Sequence, residues 1–308
     1  MKFWIYITSG MREKRLVLKP KTNVAGVIFI VLFALVFIFG IALLVFGEEN
    51  NYYVNKDGVI LYSVRNVKEL KERLSIYKYL NQYPVQVEPY LLKSFPRDFP
   101  RLKAKERKKL FIKALLPIAI IVNKQFRKEH KIFERIAEKI KKGKLLNQID
   151  REILDYGFKK YRCHTIKELL IRSGGVPVSL LIAQAGIESG WGKSRFAIQY
   201  NNIYGIHRKH PKPGKIVMRF KSLYSATVEY VLNLDRGRAY RKFRLARYRM
   251  GDFPNPYKLA EFLTLYSTKR SHYIHLIQRI ITANNLVAYD RKFESIVVAE
   301  NAASNSFE

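Results

Sequence analysis

The sequence predicts a mainly α-helical fold: an N-terminal transmembrane helix, then a largely helical domain interrupted by one small β-hairpin. Three observations carry this reading. Val24 to Gly47 is an uncharged run of 24 residues dominated by Val, Ile, Leu and Phe. Apolar residues recur at helical spacing through most of 104–284, as at Leu110, Ala114, Leu115, Ile118, Ile121 and Val122. One turn signal, Pro211-Lys212-Pro213-Gly214, precedes a loosely alternating stretch from Lys215 to Phe220.

The N-terminal run is long enough to cross a hydrocarbon core of roughly 30 Å. A secretory signal has an apolar region of only about 7–15 residues and a small-residue cleavage site. Phe46-Gly47-Glu48-Glu49-Asn50 is a poor site of that kind. Residues 1–23 hold six Lys or Arg against one acid, Glu13. Positive charge stays on the cytoplasmic side. The expectation is a basic cytoplasmic segment (1–23) and an uncleaved signal anchor (24–47) in the membrane. The chain crosses once, and everything beyond it is extracytoplasmic.

Beyond the anchor, 49–61 reads as extended, with Asn55-Lys56-Asp57-Gly58 as a turn. Val67, Leu70, Leu74 and Tyr77 mark a short helix. Pro84, Pro89, Pro96 and Pro100 mark loop, so 48–100 is expected to be a stalk or linker. A globular domain then spans 101–289, with a tail at 290–308. Helices are expected over 104–142, broken or kinked at Pro117, and over 146–158, 166–171 and 193–199. Further ones are expected over 222–235, 258–266 and 273–284.

The chain has 57 Lys and Arg against 25 Asp and Glu, a formal net charge of +32. Such a balance calls for a polyanionic partner. The basic runs show no nucleic-acid recognition motif, and the expected topology removes the domain from nucleic acid. Membrane head groups and the cell wall remain. The one cysteine, Cys163, allows no internal disulfide. His207 with His210, and Cys163 with His164, form no set with zinc spacing. No metal and no cofactor are expected.

The candidate centre is the stretch from Val176 to Ser194. Pro177 suits a first helical turn, and Val178 to Ile187 carries no charge. Such a helix belongs inside the domain. It ends on Glu188, at helical spacing from Leu181, Gln184 and Ala185. A carboxylate on an apolar face is paired with a cation, emerges at the helix end, or is functional. In the last case desolvation raises its pKa and leaves it able to give a proton to a leaving oxygen.

Val176-Pro177, Ala183-Gln184-Ala185 and Glu188-Ser189-Gly190-Trp191-Gly192, followed by Asn201-Asn202-Ile203-Tyr204-Gly205-Ile206, resemble the signature of the glucosaminidase family of peptidoglycan hydrolases, glycoside hydrolase family 73 type. Ser222 with Ala226 and Tyr230, Arg238-Ala239-Tyr240, and Tyr266-Ser267 with Tyr273 continue it in order. Leu110-Phe111, Leu115-Leu116-Pro117 and Arg238-Ala239-Tyr240 are similar to the Bax-type branch. The resemblance implies a lysozyme-like α+β domain with a cleft between a helical body and a hairpin lobe. It implies that the membrane crossed is a bacterial inner membrane. It implies endo-β-N-acetylglucosaminidase activity on peptidoglycan glycan strands, with Glu188 as general acid and Tyr273 as a second catalytic residue. Trp191, Asn201, Asn202 and Tyr204 are the candidate substrate-binding residues, although Trp191 also suits packing of the motif and Tyr204 also suits the core.

The hairpin departs from the family pattern. Glycosidases usually employ two carboxylates, yet no Asp or Glu occurs between Ser189 and Val228. Glu229 and Asp252 are the candidate second acids. A lytic transglycosylase and a non-catalytic wall-binding scaffold are the alternative readings.

Overall fold

The computed structural model describes residues 52–54, 59–76, 90–207, 217–263 and 270–291. The basic segment, the anchor at 24–47 and the tail beyond Arg291 lie outside the described residues. Among the described residues no helix is long and apolar enough to cross a membrane.

The expected linker is not a stalk. Strand β1 (Tyr52–Val54) pairs antiparallel with β2 (Ile60–Tyr62), with Tyr52 opposite Tyr62. Helix α1 (Val67–Ile76) follows, and β3 (Tyr90–Leu92) joins β2 in parallel, making a three-stranded sheet. Leu61, Leu70, Leu91 and Phe99 are fully buried in the core they share with the helical body. The Asp98 carboxylate accepts from the Val67 N–H with both oxygens at 3.1 Å, capping α1. Prolines at 96 and 100 suggested a linker. They instead bracket a turn at Phe99–Arg101 that stacks Phe95 on Phe99 and on Phe111, at 4.4 and 5.3 Å.

Helix α2 (Ala104–Lys141) is the longest element, with 38 residues. It runs through Pro117 without breaking, so the break that the sequence allowed there does not occur. A proline there removes one backbone hydrogen bond and costs about 3 kcal/mol. The whole turn around it is buried, from Ala114 to Val122. Apolar burial of several such side chains, at about 1.5–3 kcal/mol each for the larger ones, outweighs that cost. Asn147 and Thr165 accept from the N–H three residues on and start α3 (Gln148–Tyr161) and α4 (Ile166–Arg172).

Helix α5 (Val178–Ser189) lies against α2, and every residue from Val178 to Gly186 is buried. Its N-terminus is capped from far along the chain. The Asp290 carboxylate accepts from the Ser179 N–H at 2.9 Å and from its hydroxyl at 2.5 Å. Short α6 (Arg195–Tyr200) follows. His207 and Val217 form an antiparallel bridge where the hairpin was expected, and the segment between them lies outside the described residues. Helix α7 (Leu223–Arg236) begins at a Ser222–Ser225 capping box. Then come α8 (Arg241–Met250), α9 (Pro256–Ala260), α10 (Arg270–Ala283) and α11 (Ala288–Arg291). The protein is thus mainly helical, as its periodicity predicts.

One ion pair is sealed inside this body. Asp235 on α7 is fully buried and accepts from Arg247 of α8 at 2.7 Å. The same guanidinium donates to the carbonyls of Arg172, Ser173 and Gly174 at 2.7, 2.9 and 3.2 Å. It thereby fixes the turn that delivers the chain into α5. Removing one partner of such a pair leaves an uncompensated buried charge, which costs about 3–5 kcal/mol. Asp235→Ala is therefore expected to lower the unfolding free energy by about that much in a denaturant titration.

Candidate functional site

The site is built at the C-terminal end of α5. Gly190 closes the helix in the left-handed region (φ 58°), and the Trp191 N–H donates back to the Gly186 carbonyl at 2.8 Å. The Ser189 hydroxyl donates to the Ala185 carbonyl at 2.5 Å and accepts from the Gly192 N–H at 2.9 Å. The indole of Trp191 packs against Gly186, where a Cβ would come within 2.8 Å of the ring. It meets the Phe111 ring nearly at right angles at 5.7 Å, and the Lys108 ammonium lies over it at 5.1 Å. Trp191 is therefore a half-buried packing piece that locks the exit turn, rather than an open platform for a sugar ring.

That turn holds Glu188 half-buried. Among the described residues no Lys, Arg or His pairs with it. Its Oε1 accepts from the Tyr273 hydroxyl of α10 at 2.8 Å. Its Oε2 faces Gly205, where a Cβ would sit 3.2 Å away on a backbone of φ +64°. A side chain at 205 would be strained and would crowd the carboxyl group. Burial pushes the Glu188 pKa up, and the Tyr273 hydrogen bond pulls it only partly back. No charged neighbour among the described residues contributes to that shift.

Behind Glu188 a chain of hydrogen bonds runs into the core. The Tyr273 oxygen accepts from Gln184 Nε2 at 3.1 Å, and Gln184 Oε1 accepts from the Tyr230 hydroxyl. Gln184 and Tyr230 are fully buried. Burial and the adjacent Glu188 charge push the Tyr273 phenol well above its ordinary range, so it remains a donor. Tyr240 lies close enough to feel the same charge.

The other candidates fall into two groups. Asn202 is buried and donates to the carbonyls of Ile206 and Met218 at 2.8 and 3.1 Å, while its Oδ1 accepts from the Ile206 N–H at 2.9 Å. Asn201 donates to the Phe220 carbonyl at 3.2 Å. The Asn202 amide is engaged at both ends in shaping the loop that brings Gly205 against Glu188, whereas Asn201 Oδ1 is buried with no hydrogen-bond partner among the described residues. Tyr204 has no exposed surface. It stacks on Tyr230 at 4.1 Å with the rings 5° apart, and it cannot receive a sugar there.

Neither candidate second acid adjoins Glu188. Asp252 pairs with Lys131 at 2.9 Å and lines a cavity of about 230 Å³ with Pro177 at the opposite end of α5. At 1.5 Å per residue, that end is about 16 Å from Glu188. Glu229 sits half-buried on α7, where its charge acts on Arg236. Gln184, Tyr230, Tyr240 and Gly205 were not singled out by sequence as site residues. Gln184 did carry a signal: an amide inside an apolar helix must find a buried partner, and it stands one turn before Glu188.

Residues 163–286 match the Glucosaminidase family, described as mannosyl-glycoprotein endo-beta-N-acetylglucosaminidase. The matched span contains Glu188, Tyr273 and every member of the hydrogen-bonded chain. Among curated proteins, Protein bax of Escherichia coli (strain K12) is 36% identical over 85 residues, covering 26% of this chain and 31% of that protein. The chain therefore matches about a third of the length of that relative. Among solved structures, the catalytic domain of the autolysin Auto from Listeria monocytogenes aligns at 15% identity with a TM-score of 0.36, covering 74% of this chain and 99% of that one.

The Glu188 environment makes a prediction about titration. Folding favours its protonated form. The associated stability is complete below the ordinary value of 4.5 and is lost as pH rises through the elevated folded-state value. Tyr273→Phe removes the donor that favours the carboxylate. The Glu188 pKa should then climb further, because the hydrogen bond that pulls it back is gone. Carboxyl-carbon NMR titration measures it. An unchanged or lower pKa would mean that the Tyr273 hydroxyl does not hold this carboxyl group in solution.

Proposed function

We propose, for a chain whose residues 163–286 form a Glucosaminidase-family domain, that it is a membrane-anchored endo-β-N-acetylglucosaminidase cutting peptidoglycan glycan strands. The carrying observation is a half-buried Glu188 that has a hydrogen-bond donor beside it and no cation among the described residues. The cut would fall after N-acetylglucosamine, in a lysozyme-like cleft outside the cytoplasm, with 24–47 as the anchor.

Protonated Glu188 gives its proton to the bridging oxygen as the glycosidic bond breaks and positive charge develops on the sugar. An elevated pKa keeps that proton available at higher pH than an ordinary carboxyl group would. Tyr273 orients the carboxyl oxygen and, through Gln184 and Tyr230, is itself held from behind. The hairpin segment 208–216 contains no Asp or Glu, and Asp252 belongs to the far end of α5. The second partner is accordingly the substrate's own acetamido oxygen or a water held by Tyr273, with Glu188 as the essential carboxylate. Substrate assistance is an established exception to the two-acid rule.

A single helix-borne acid also suits a lytic transglycosylase, which closes an anhydro ring instead of admitting water. The Gly190-Trp191-Gly192 exit turn favours the hydrolase. Digestion of purified wall followed by mass spectrometry separates the readings. Reducing N-acetylglucosamine ends are the expected product. Anhydro-muramic ends would mean a transglycosylase, and no new ends a scaffold.

Glu188→Gln is expected to lower the cleavage rate by about 10²–10⁴, the usual worth of a positioned general acid. Activity should fall as pH rises through the elevated Glu188 pKa, and Tyr273→Phe should carry that alkaline limb upward. Glu229→Gln and Asp252→Asn should each retain cleavage. Loss in a folded Asp252→Asn or Glu229→Gln protein as deep as in Glu188→Gln would sink the single-acid mechanism.

A further inference from the structure

The surface of α6 carries an aromatic pair that the proposed reaction does not use. Phe196 and Tyr200 stand one helical turn apart, and their rings stack at 5.8 Å and 29°. Each bears a guanidinium. Arg195 lies 5.5 Å from the Phe196 ring centre, and Arg219 lies 3.8 Å from that of Tyr200. Arg219 comes from the returning arm of the hairpin, where the Phe220 N–H donates to the Tyr200 carbonyl at 2.8 Å. Both arginines are exposed, and Phe196 is 37% exposed. Among the described residues neither arginine has a carboxylate within ion-pair distance.

The surrounding sequence is one-sided. From Ser189 to Val228 there are eight Lys or Arg and no acid, although the whole chain holds 25 acids. An ordinary solvated face mixes signs. Among the described residues, Arg195 and Arg219 offer cations on aromatic faces with no carboxylate at ion-pair distance. A guanidinium held flat on a ring keeps its hydrogen-bonding edge free, and that edge fits a carboxylate in two-pronged fashion. The patch also shares its scaffold with the carboxyl site. The Phe196 carbonyl accepts from the Asn202 N–H at 3.1 Å, and the Asn202 side chain shapes the loop that lays Gly205 on Glu188.

Resting on the glycan reading above, we propose that Arg195, Phe196, Tyr200 and Arg219 form a subsite for the carboxylates of the peptides borne by the glycan strand. A strand engaged at Glu188 carries its peptide branches over the adjoining surface. The arginines take the free carboxylates, and the rings beneath shed water from one side of each contact. Substrate choice then favours peptide-bearing strands over bare ones.

The test uses the full chain carrying Glu188→Gln, so that binding is read without cleavage. Dissociation constants are measured by calorimetry for soluble glycan strands with their peptides and for the same strands stripped of peptide by an amidase. The preference for peptide-bearing strands should fall about five- to tenfold in Arg195→Ala/Arg219→Ala, the sum of two exposed charge contacts on aromatic faces. It should also shrink with added salt in the parent. Phe196→Ala, which leaves both charges, should lower it by a smaller factor. A parent with no preference, or a double-alanine protein with the parent's preference at an unaltered thermal midpoint, overturns the subsite. Product analysis of the unsubstituted enzyme judges the glycosidase reading separately, because the binding ratio needs no bond to be cut.

Discussion

The structure turns on one hydrogen bond, from the Tyr273 hydroxyl to Glu188 at 2.8 Å. A carboxyl group at the end of an apolar helix has three ways to meet its desolvation: a cation, solvent, or a neutral donor. The cation would hold it ionised, and solvent would leave it ordinary. A neutral phenol does neither. It orients the group and satisfies one oxygen while burial still raises the pKa. Much of the local architecture maintains this compromise. Gln184 and Tyr230 keep the phenol aimed, Tyr204 stacks behind Tyr230, and Gly205 leaves room for the second oxygen.

The same compromise explains why so many polar groups are tolerated inside. Gln184 sits on a helix whose neighbouring buried positions, Leu180 to Ala183 and Ala185, are apolar, and an unsatisfied amide there would be costly. Both ends of its side chain are engaged, one by each tyrosine. On the far side of the body, Arg247 binds Asp235 and three carbonyls of the turn before α5. The helix that carries Glu188 is therefore fixed at its entry by Arg247 and Asp290, and at its exit by Trp191 and Ser189. A carboxyl group placed on such an element has little freedom to drift toward water.

The helical elements were readable because their signals are local. Apolar spacing, the signal by which they were read, acts within a few residues. Glu188 and Tyr273 were readable as a pair only through the family resemblance, since 85 positions separate them and no spacing rule links them. Pro117 does not end its helix because a propensity against helix says nothing of the burial that overrides it. The stretch before 104 was misleading because its prolines gave no sign of buried apolar side chains such as Leu91, Leu92 and Phe99. Tyr204 and the two asparagines have the composition of a sugar site. Only the fold reveals that the tyrosine stacks in the core and the amides bind backbone. Residues of one type serve packing or recognition according to which side of a loop they occupy.

The placement of charge completes the physical account. A cation near Glu188 would lower its pKa and oppose the upward shift that burial gives it. Yet the segment that follows it is among the most basic in the chain. Lys193, Arg195, Arg219 and Lys221 all lie within 33 positions of Glu188 in sequence, and none of them contributes to its shift. Three of these four are exposed on or beside α6 and the hairpin arm, and Lys221 is exposed ahead of α7. There water and salt confine their fields to about a Debye length of 8–10 Å. These cations stay in water at the surface while burial acts on Glu188 behind them. Keeping them there lets a strongly basic domain hold Glu188 half-buried, where desolvation shifts its balance toward the protonated form.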